Sequence, residues 1–285
     1  MDWRGRRGSG NIEDRRRMGG GGIRAGGVGG VGVVAVLLIG WFFGVDLTPI
    51  LQDGGMGTST PSAPVELTAE DRAAGEFVSV TLADTEEVWG AVFPQQVGQP
   101  YTPPTLVLFK GGTQSPCGGA SGASGPFYCP IDGKAYLDTE FFTTMDRQLG
   151  AGGDFAAAYV IAHEIAHHVQ NELGILEQTT RMRQQVSGTE GNEISVRVEL
   201  MADCLAGLWA REAGQRFGSL ERGDIEEAVN AARQIGDDTL QRNAGQRPNP
   251  HTFTHGTSEQ RSRWFLTGYD TGLIESCDTF ATDRL

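Results

Sequence analysis

The chain has 285 residues, enough for one large domain or two small ones. Its apolar fraction of 39% is depressed by 42 glycines, many of them near the N-terminus, and the remainder has an ordinary globular composition. The formal charge of −13 is uneven: seven Arg against three acids give residues 1–24 a charge of +4 and leave −17 on the rest, which excludes nucleic-acid binding through a broad basic face.

The Arg/Gly-rich residues 1–24 offer little to bury and read as a cytoplasmic tail outside the fold. Residues 25–45 carry no charge, and about 21 residues at a helical rise of roughly 1.5 Å suffice to cross a hydrocarbon core. Arg15, Arg16, Arg17 and Arg24 precede this run, so the positive-inside rule predicts a single transmembrane helix with a cytoplasmic N-terminus. The remainder would then lie outside the cytoplasm, on a cell-membrane anchor. A cleaved signal peptide is the alternative, but no small-x-small cleavage site follows the apolar run. A buried core helix is a second alternative, against which the Arg-rich flank argues. Residues 46–65 have the Gly/Ser/Thr/Pro composition of a flexible linker, leaving 66–285 as the folded domain. An even count of four cysteines in an exported chain predicts two disulfides. Cys117 and Cys129 bracket a Gly/Ser-rich loop, and pairing of Cys204 with Cys277 would tie the C-terminal tail to the core. No CxxC pair is present to hold zinc through cysteine.

Within the domain, Thr68 can cap a helix over AEDRAAGEFVSVTLAD, with a second helix over 85–93 ended by Pro94. Thr105–Phe109 reads as a strand. Phe127–Cys129 and Lys134–Leu137 are extended segments around the turn at Ile131, Asp132 and Gly133. Helices follow from Asp138 or Thr139 through EFFTTMDRQL, from a cap at Asp154 to a stop at Gly174, over about 192–213, over 220–235, and over 257–267. The fold class is α+β: mainly helical, with a small sheet just before the histidine-bearing helix.

That helix reads FAAAYVIAHEIAHHVQNEL. His163 and His167 stand four apart and therefore share one helical face, where two imidazoles can meet one zinc ion per chain. Glu164, beside the first, can act as general base on a metal-bound water. Ile161, Ala162, Ile165, Ala166 and Val169 surround the polar trio with apolar residues, so the helix is buried, and buried His and Glu need partners. His168 is rotated about 100° from His167 and is read as a supporting or surface residue. One group of zinc proteases takes a third histidine six residues after the second, but that position is Leu173. Another takes a glutamate from a later helix with an aspartate four residues on, and Glu199 and Asp203 fit, in an apolar setting. Asp203 would hold the free ring nitrogen of a ligand histidine. Glu190 and Glu193 are alternatives in a more polar stretch.

The segments HEIAHHVQ, RVELMADCLAG and HTFTHGTSEQRSRWF together resemble the bacterial neutral zinc metallopeptidase family, membrane-anchored gluzincin-type enzymes, over residues 66 to the C-terminus. The resemblance implies a zincin-like core similar to small thermolysin-like domains. It implies that Lys134–Asp138 is the edge strand beside the cleft, where a protein or peptide substrate would pair by β-augmentation. It also implies a histidine that stabilises the oxyanion. His255, in a loop just before a helix cap at Thr257 or Ser258, is the leading candidate, with His251 behind it. Tyr136 and Tyr159 are not separable from core tyrosines. The expected activity is zinc-dependent endopeptidase. A zinc-stapled scaffold and a metal-dependent hydrolase of a cell-wall amide are the alternatives; retention of Glu164 argues against the first.

Overall fold

The computed structural model describes residues 1–17, 66–121 and 125–285. Three-residue strand β1 (Ile12–Asp14) opens the chain, and helix α1 (Ala69–Gln96) follows the undescribed stretch. Strands β2 (Thr105–Phe109), β3 (Gly112–Ser115), β4 (Gly118–Ser121), β5 (Phe127–Cys129) and β6 (Lys134–Asp138) come next. The rest is helical: α2 (Glu140–Arg147), α3 (Asp154–Glu172), α4 (Ile175–Arg183), α5 (Gly188–Phe217), α6 (Asp224–Gln234), α7 (Asp237–Asn243) and α8 (Ser258–Thr271). The mainly helical α+β class is therefore as expected.

The main sheet has the order β1-β2-β6-β5, with β1, β2 and β6 parallel and β5 antiparallel to β6. Alternation along the strands sorts its side chains. Leu106, Leu108, Ala135 and Leu137 join the main core, while Val107, Phe109 and Tyr136 form a second cluster with Ala120 of the β3–β4 hairpin. Strand β6 is interior. The expectation that Lys134–Asp138 is the edge is corrected, because Phe127–Cys129 pairs along its outer side; β5 is the edge next to α3.

Helix α1 is one unbroken rod where the sequence predicts two. Thr68 caps it in a capping box with Asp71, and no Gly–Pro signal interrupts 84–85. Pro94 lies in the last turn rather than ending the helix. Helix α5 begins earlier than expected, at a capping box of Ser187 and Glu190. The cap of α3 is Gly153, not Asp154, which is instead the first helical residue. Helices α5 and α8 cross with backbones touching: a Cβ on Gly207 would strike the Phe265 carbonyl, and one on Gly268 the Cys204 carbonyl. Disulfide Cys204–Cys277 lies beside this crossing, and Cys117–Cys129 closes the loop before β5.

The largest departure from expectation is at the N-terminus, which is part of the fold. Met1 and Trp3 are buried in the main core. The Met1 ammonium meets Asp154 at 2.6 Å, Glu221 at 3.1 Å and Asp224 at 3.3 Å. Trp3 packs edge-on against Phe77, Arg6 makes a paired hydrogen bond to buried Asp84, and Arg16 caps the Asp71 carbonyl. β1 then pairs with β2. Of the arginines that suggested a cytoplasmic flank, Arg15 pairs with Glu13, and Arg16 with Asp14 and the Asp71 carbonyl of α1.

This overturns the single-pass anchor and the cell-membrane localisation. No helix among the described residues is long and apolar enough to cross a membrane, and the assigned span, 25–45, lies outside them, as does the linker 46–65. Moreover, a single crossing puts its two flanks on opposite sides of a hydrocarbon layer roughly 30 Å thick, whereas residues 1–16 pack directly on α1, β2, α3 and α6.

Candidate metal centre

Helix α3 is central, packed on β5 and β6 at one side and on α1, α5 and α6 elsewhere. The turn between i and i+4 sets His163 and His167 side by side, ring centroids 4.8 Å apart. α5 crosses α3 so that Glu199 faces both. His163 Nε2 lies 3.1 Å from Glu199 Oε2, and His167 Nε2 lies 3.6 Å from Glu199 Oε1. The ligand atoms of these three residues all fall within 4.8 Å of one another.

The protonation pattern suits a cation. His163 Nδ1 donates to Asp203 Oδ1 at 2.9 Å, and His167 Nδ1 donates to Gln170 Oε1 at 2.8 Å. With both Nδ1 atoms held as donors, both Nε2 atoms are the ones that face Glu199, free to take a metal in place of a proton. Tetrahedral zinc with bonds of about 2.0–2.1 Å needs ligand atoms roughly 3.3 Å apart, and the two contacts to Glu199 bracket that spacing. The residues present fit zinc.

Charge is concentrated here. Burial opposes the charged form of His163, but the hydrogen bonds and charges of Asp203 and Glu199 overcome it and raise the imidazole to about 10. Burial likewise opposes ionisation of Glu199, and the histidines outweigh it, holding the carboxylate well below its usual range. Asp203 is held at about 2: burial would raise it, and Arg261 and His163 prevail. Glu164 moves the other way, pushed up by burial against the pull of His167 and His163.

Asp203 is the hub of a buried network. Its Oδ1 accepts from His163 and, at 2.5 Å, from Tyr159 Oη. Arg261 Nε donates to Oδ2 at 2.8 Å and Arg261 Nη2 to Oδ1 at 3.0 Å. Gln170 is anchored in turn through its Nε2 to the Val198 carbonyl of α5. None of Gln170, Tyr159 or Arg261 carries a sequence signal that separates it from an ordinary core residue, although Gln170 does follow His167 by one helical turn.

His255 sits in the loop between α7 and α8. Gly256, at a φ of +92°, lays this loop against Val196 and Leu200 of α5, the residues flanking Glu199. Buried Asp237 shapes the loop: its Oδ2 accepts the backbone N–H groups of Thr254, His255 and Gly256, and its Oδ1 faces His255 Nδ1 at 3.3 Å. Burial lowers the His255 imidazole, but the charges of Glu199 and Asp237 raise it above the ordinary value. Asp237, which begins a helix the sequence did not reveal, is another residue missed.

The other candidates lie elsewhere. His168 is buried rather than on the surface; its Nε2 donates to the Thr102 carbonyl at 2.7 Å and its Nδ1 accepts from Tyr128 Oη at 3.0 Å, joining α3 to β5. His251 is exposed on a 3-10 turn. Glu190 caps α5, and Glu193 is exposed. Tyr136 stacks on Phe127 in the smaller core cluster and donates to Asp132.

The family model described as "Putative neutral zinc metallopeptidase" matches residues 1–280. The chain belongs to this family. The match takes in the N-terminal strap as well as the candidate metal centre. The chain is 45% identical over 287 residues to uncharacterized protein YpfJ of Escherichia coli K12, covering 98% of this chain and 99% of that one. It is 40% identical over 259 residues to uncharacterized protein Rv2575 of Mycobacterium tuberculosis H37Rv, covering 85% of each. No solved structure matches.

Proposed function

We propose that this metallopeptidase is a zinc-dependent endopeptidase in which His163, His167 and Glu199 hold one zinc ion. The observation that carries the reading is the convergence of these three on one point, with Glu164 on the same turn as His163. When bound, zinc polarises the scissile carbonyl and lowers the pKa of water. Glu164 takes a proton from the attacking water and delivers it to the leaving amine. Its burial, which favours the neutral form, makes the carboxylate a stronger base toward that water. His255, oriented by Asp237, donates to the oxyanion. Asp203 and Gln170 fix the two histidine rings.

The polypeptide substrate is favoured over a cell-wall amide by β5. Among the described residues this short strand pairs on one side only, with β6, and it is joined to α3 through the Tyr128–His168 bond, so its outer edge runs alongside the histidine helix. An extended peptide can pair there. The test is a peptide-library cleavage assay with metal analysis on the full chain and on Glu164→Gln. One zinc per chain is expected in both, with cleavage by the wild type alone. Cleavage surviving in Glu164→Gln refutes the general-base role, and wild-type cleavage of cell-wall amides without peptides refutes the substrate class.

A further inference from the structure

We propose that Arg261 is a positioning residue for the metal centre: through its paired contact with Asp203 it holds His163 in the one orientation and tautomer that turns Nε2 toward Glu199. The proposal rests on the zinc reading above and adds a layer to it.

Arg261 sits on the first turn of α8, 58 residues from Asp203. Its exposure is 2% and that of Asp203 is 0%. Nε and Nη2 take the two carboxylate oxygens as a fork, Nη2 also reaches Tyr159 Oη at 3.3 Å, and Nη1 reaches the Ile235 carbonyl at 3.3 Å. Every nitrogen of the guanidinium therefore has a protein partner, and none is presented to a substrate. Its effect on chemistry must pass through Asp203.

A carboxylate in a dry interior, accepting from one imidazole and one phenol, has several ways to turn. The planar fork removes them: with Oδ1 and Oδ2 fixed by two parallel N–H bonds, the carboxylate plane is set, and so is the direction from which Oδ1 receives His163 Nδ1–H. Tyr159, on α3 one turn before His163, closes the same ring of bonds. Arg261 also balances charge. Glu164, Glu199 and Asp203 gather around two histidines, and an uncompensated buried carboxylate next to them would be costly. The glycine crossing of α5 and α8 brings the arginine within reach: Gly207 and Gly268 let the two backbones touch, with Asp203 and Arg261 on facing turns.

The alternative is that Arg261 is simply a core ion pair that stabilises α8 on α5. A double-mutant cycle separates the two roles. Arg261→Met, Asp203→Asn and the double variant are made in the full chain. Zinc affinity is read by chelator competition and folding by circular dichroism. Removal of such supporting partners lowers metal affinity by roughly 10–100-fold, and that loss is expected for each single variant. The double variant should bind zinc no worse than Asp203→Asn alone, since Arg261 acts only through Asp203. Should Arg261→Met fail to fold, the comparison of the double variant with Asp203→Asn still decides, because it buries neither charge. Arg261→Lys, which keeps the charge without the fork, should lose part of the affinity.

Wild-type zinc affinity in folded Arg261→Met, or losses that multiply in the double variant, would overturn the proposal. Failure of the wild type to bind zinc would instead refute the metal reading itself. Zinc binding with no peptide cleavage would refute the peptidase reading and leave the role of Arg261 standing.

Discussion

Trp3→Ala tests whether residues 1–16 belong to the folded domain. Trp3 is 7% exposed, sits in the main core and meets Phe77 edge-on with ring centroids 5.5 Å apart. Truncating a buried tryptophan to alanine removes most of its apolar contact and leaves a cavity, at a cost of about 3–5 kcal/mol. For a chain of this size each kcal/mol lowers Tm by roughly 2–4 °C, so a drop on the order of 6–20 °C is expected by calorimetry or circular dichroism. Arg7→Ala is the control on the same strap: its contact with Glu87 is 3.8 Å long and both side chains are mostly exposed. Such a pair contributes at most about 1 kcal/mol, so Tm should move by no more than a few degrees. Equal, small shifts in the two variants would mean that the strap is not packed on α1 as described.

The Met1 ammonium gives a pH signature. Burial alone would lower its pKa, but Asp154, Glu221 and Asp224 raise it from 8.0 to about 10. Its contribution to stability is therefore complete below pH 8 and is lost as pH rises through about 10. Melts between pH 7 and 10.5 should show that loss, and a chain acetylated at Met1 should start lower and lack it; identical profiles would remove the ammonium from the account. The two disulfides should differ in weight. Closing a separation of 73 residues constrains the unfolded chain more than closing one of 12, about 4 against about 3 kcal/mol by chain entropy. Replacing Cys204 and Cys277 by alanine should thus lower Tm more than replacing Cys117 and Cys129, and the reverse order would show that chain entropy does not govern these crosslinks.

The readable parts of this centre are those fixed by local geometry. His163, Glu164 and His167 share a helical turn, and Glu199 and Asp203 share another, so spacing alone announces two faces that can meet. What spacing does not announce is which face of a third or fourth helix arrives there. Arg261 comes from 58 residues beyond Asp203, and its arrival depends on two glycines that let α5 and α8 touch. Asp237 shapes the His255 loop from a seven-residue helix with no apolar periodicity. The N-terminal strap misled for a different reason. Its arginines look like a flank of an apolar span, yet Arg6 is spent on the Asp84 carboxylate and Arg16 on the Asp71 carbonyl, partners on α1 that the sequence alone places nowhere near them. Strand β1 is only Ile-Glu-Asp, too short and too charged to carry an alternation signal.

The central claim is that His163, His167 and Glu199 form one zinc site, and metal affinity measured on Glu199→Ala beside Glu190→Ala tests it most directly. Glu199 lies within 3.6 Å of both histidines, whereas Glu190 only caps α5. The account predicts one zinc per chain in the wild type and in Glu190→Ala, with affinity lost by at least roughly 100-fold in Glu199→Ala, since a direct ligand should matter no less than the supporting partners whose removal costs 10–100-fold. Undiminished zinc affinity in Glu199→Ala would contradict it.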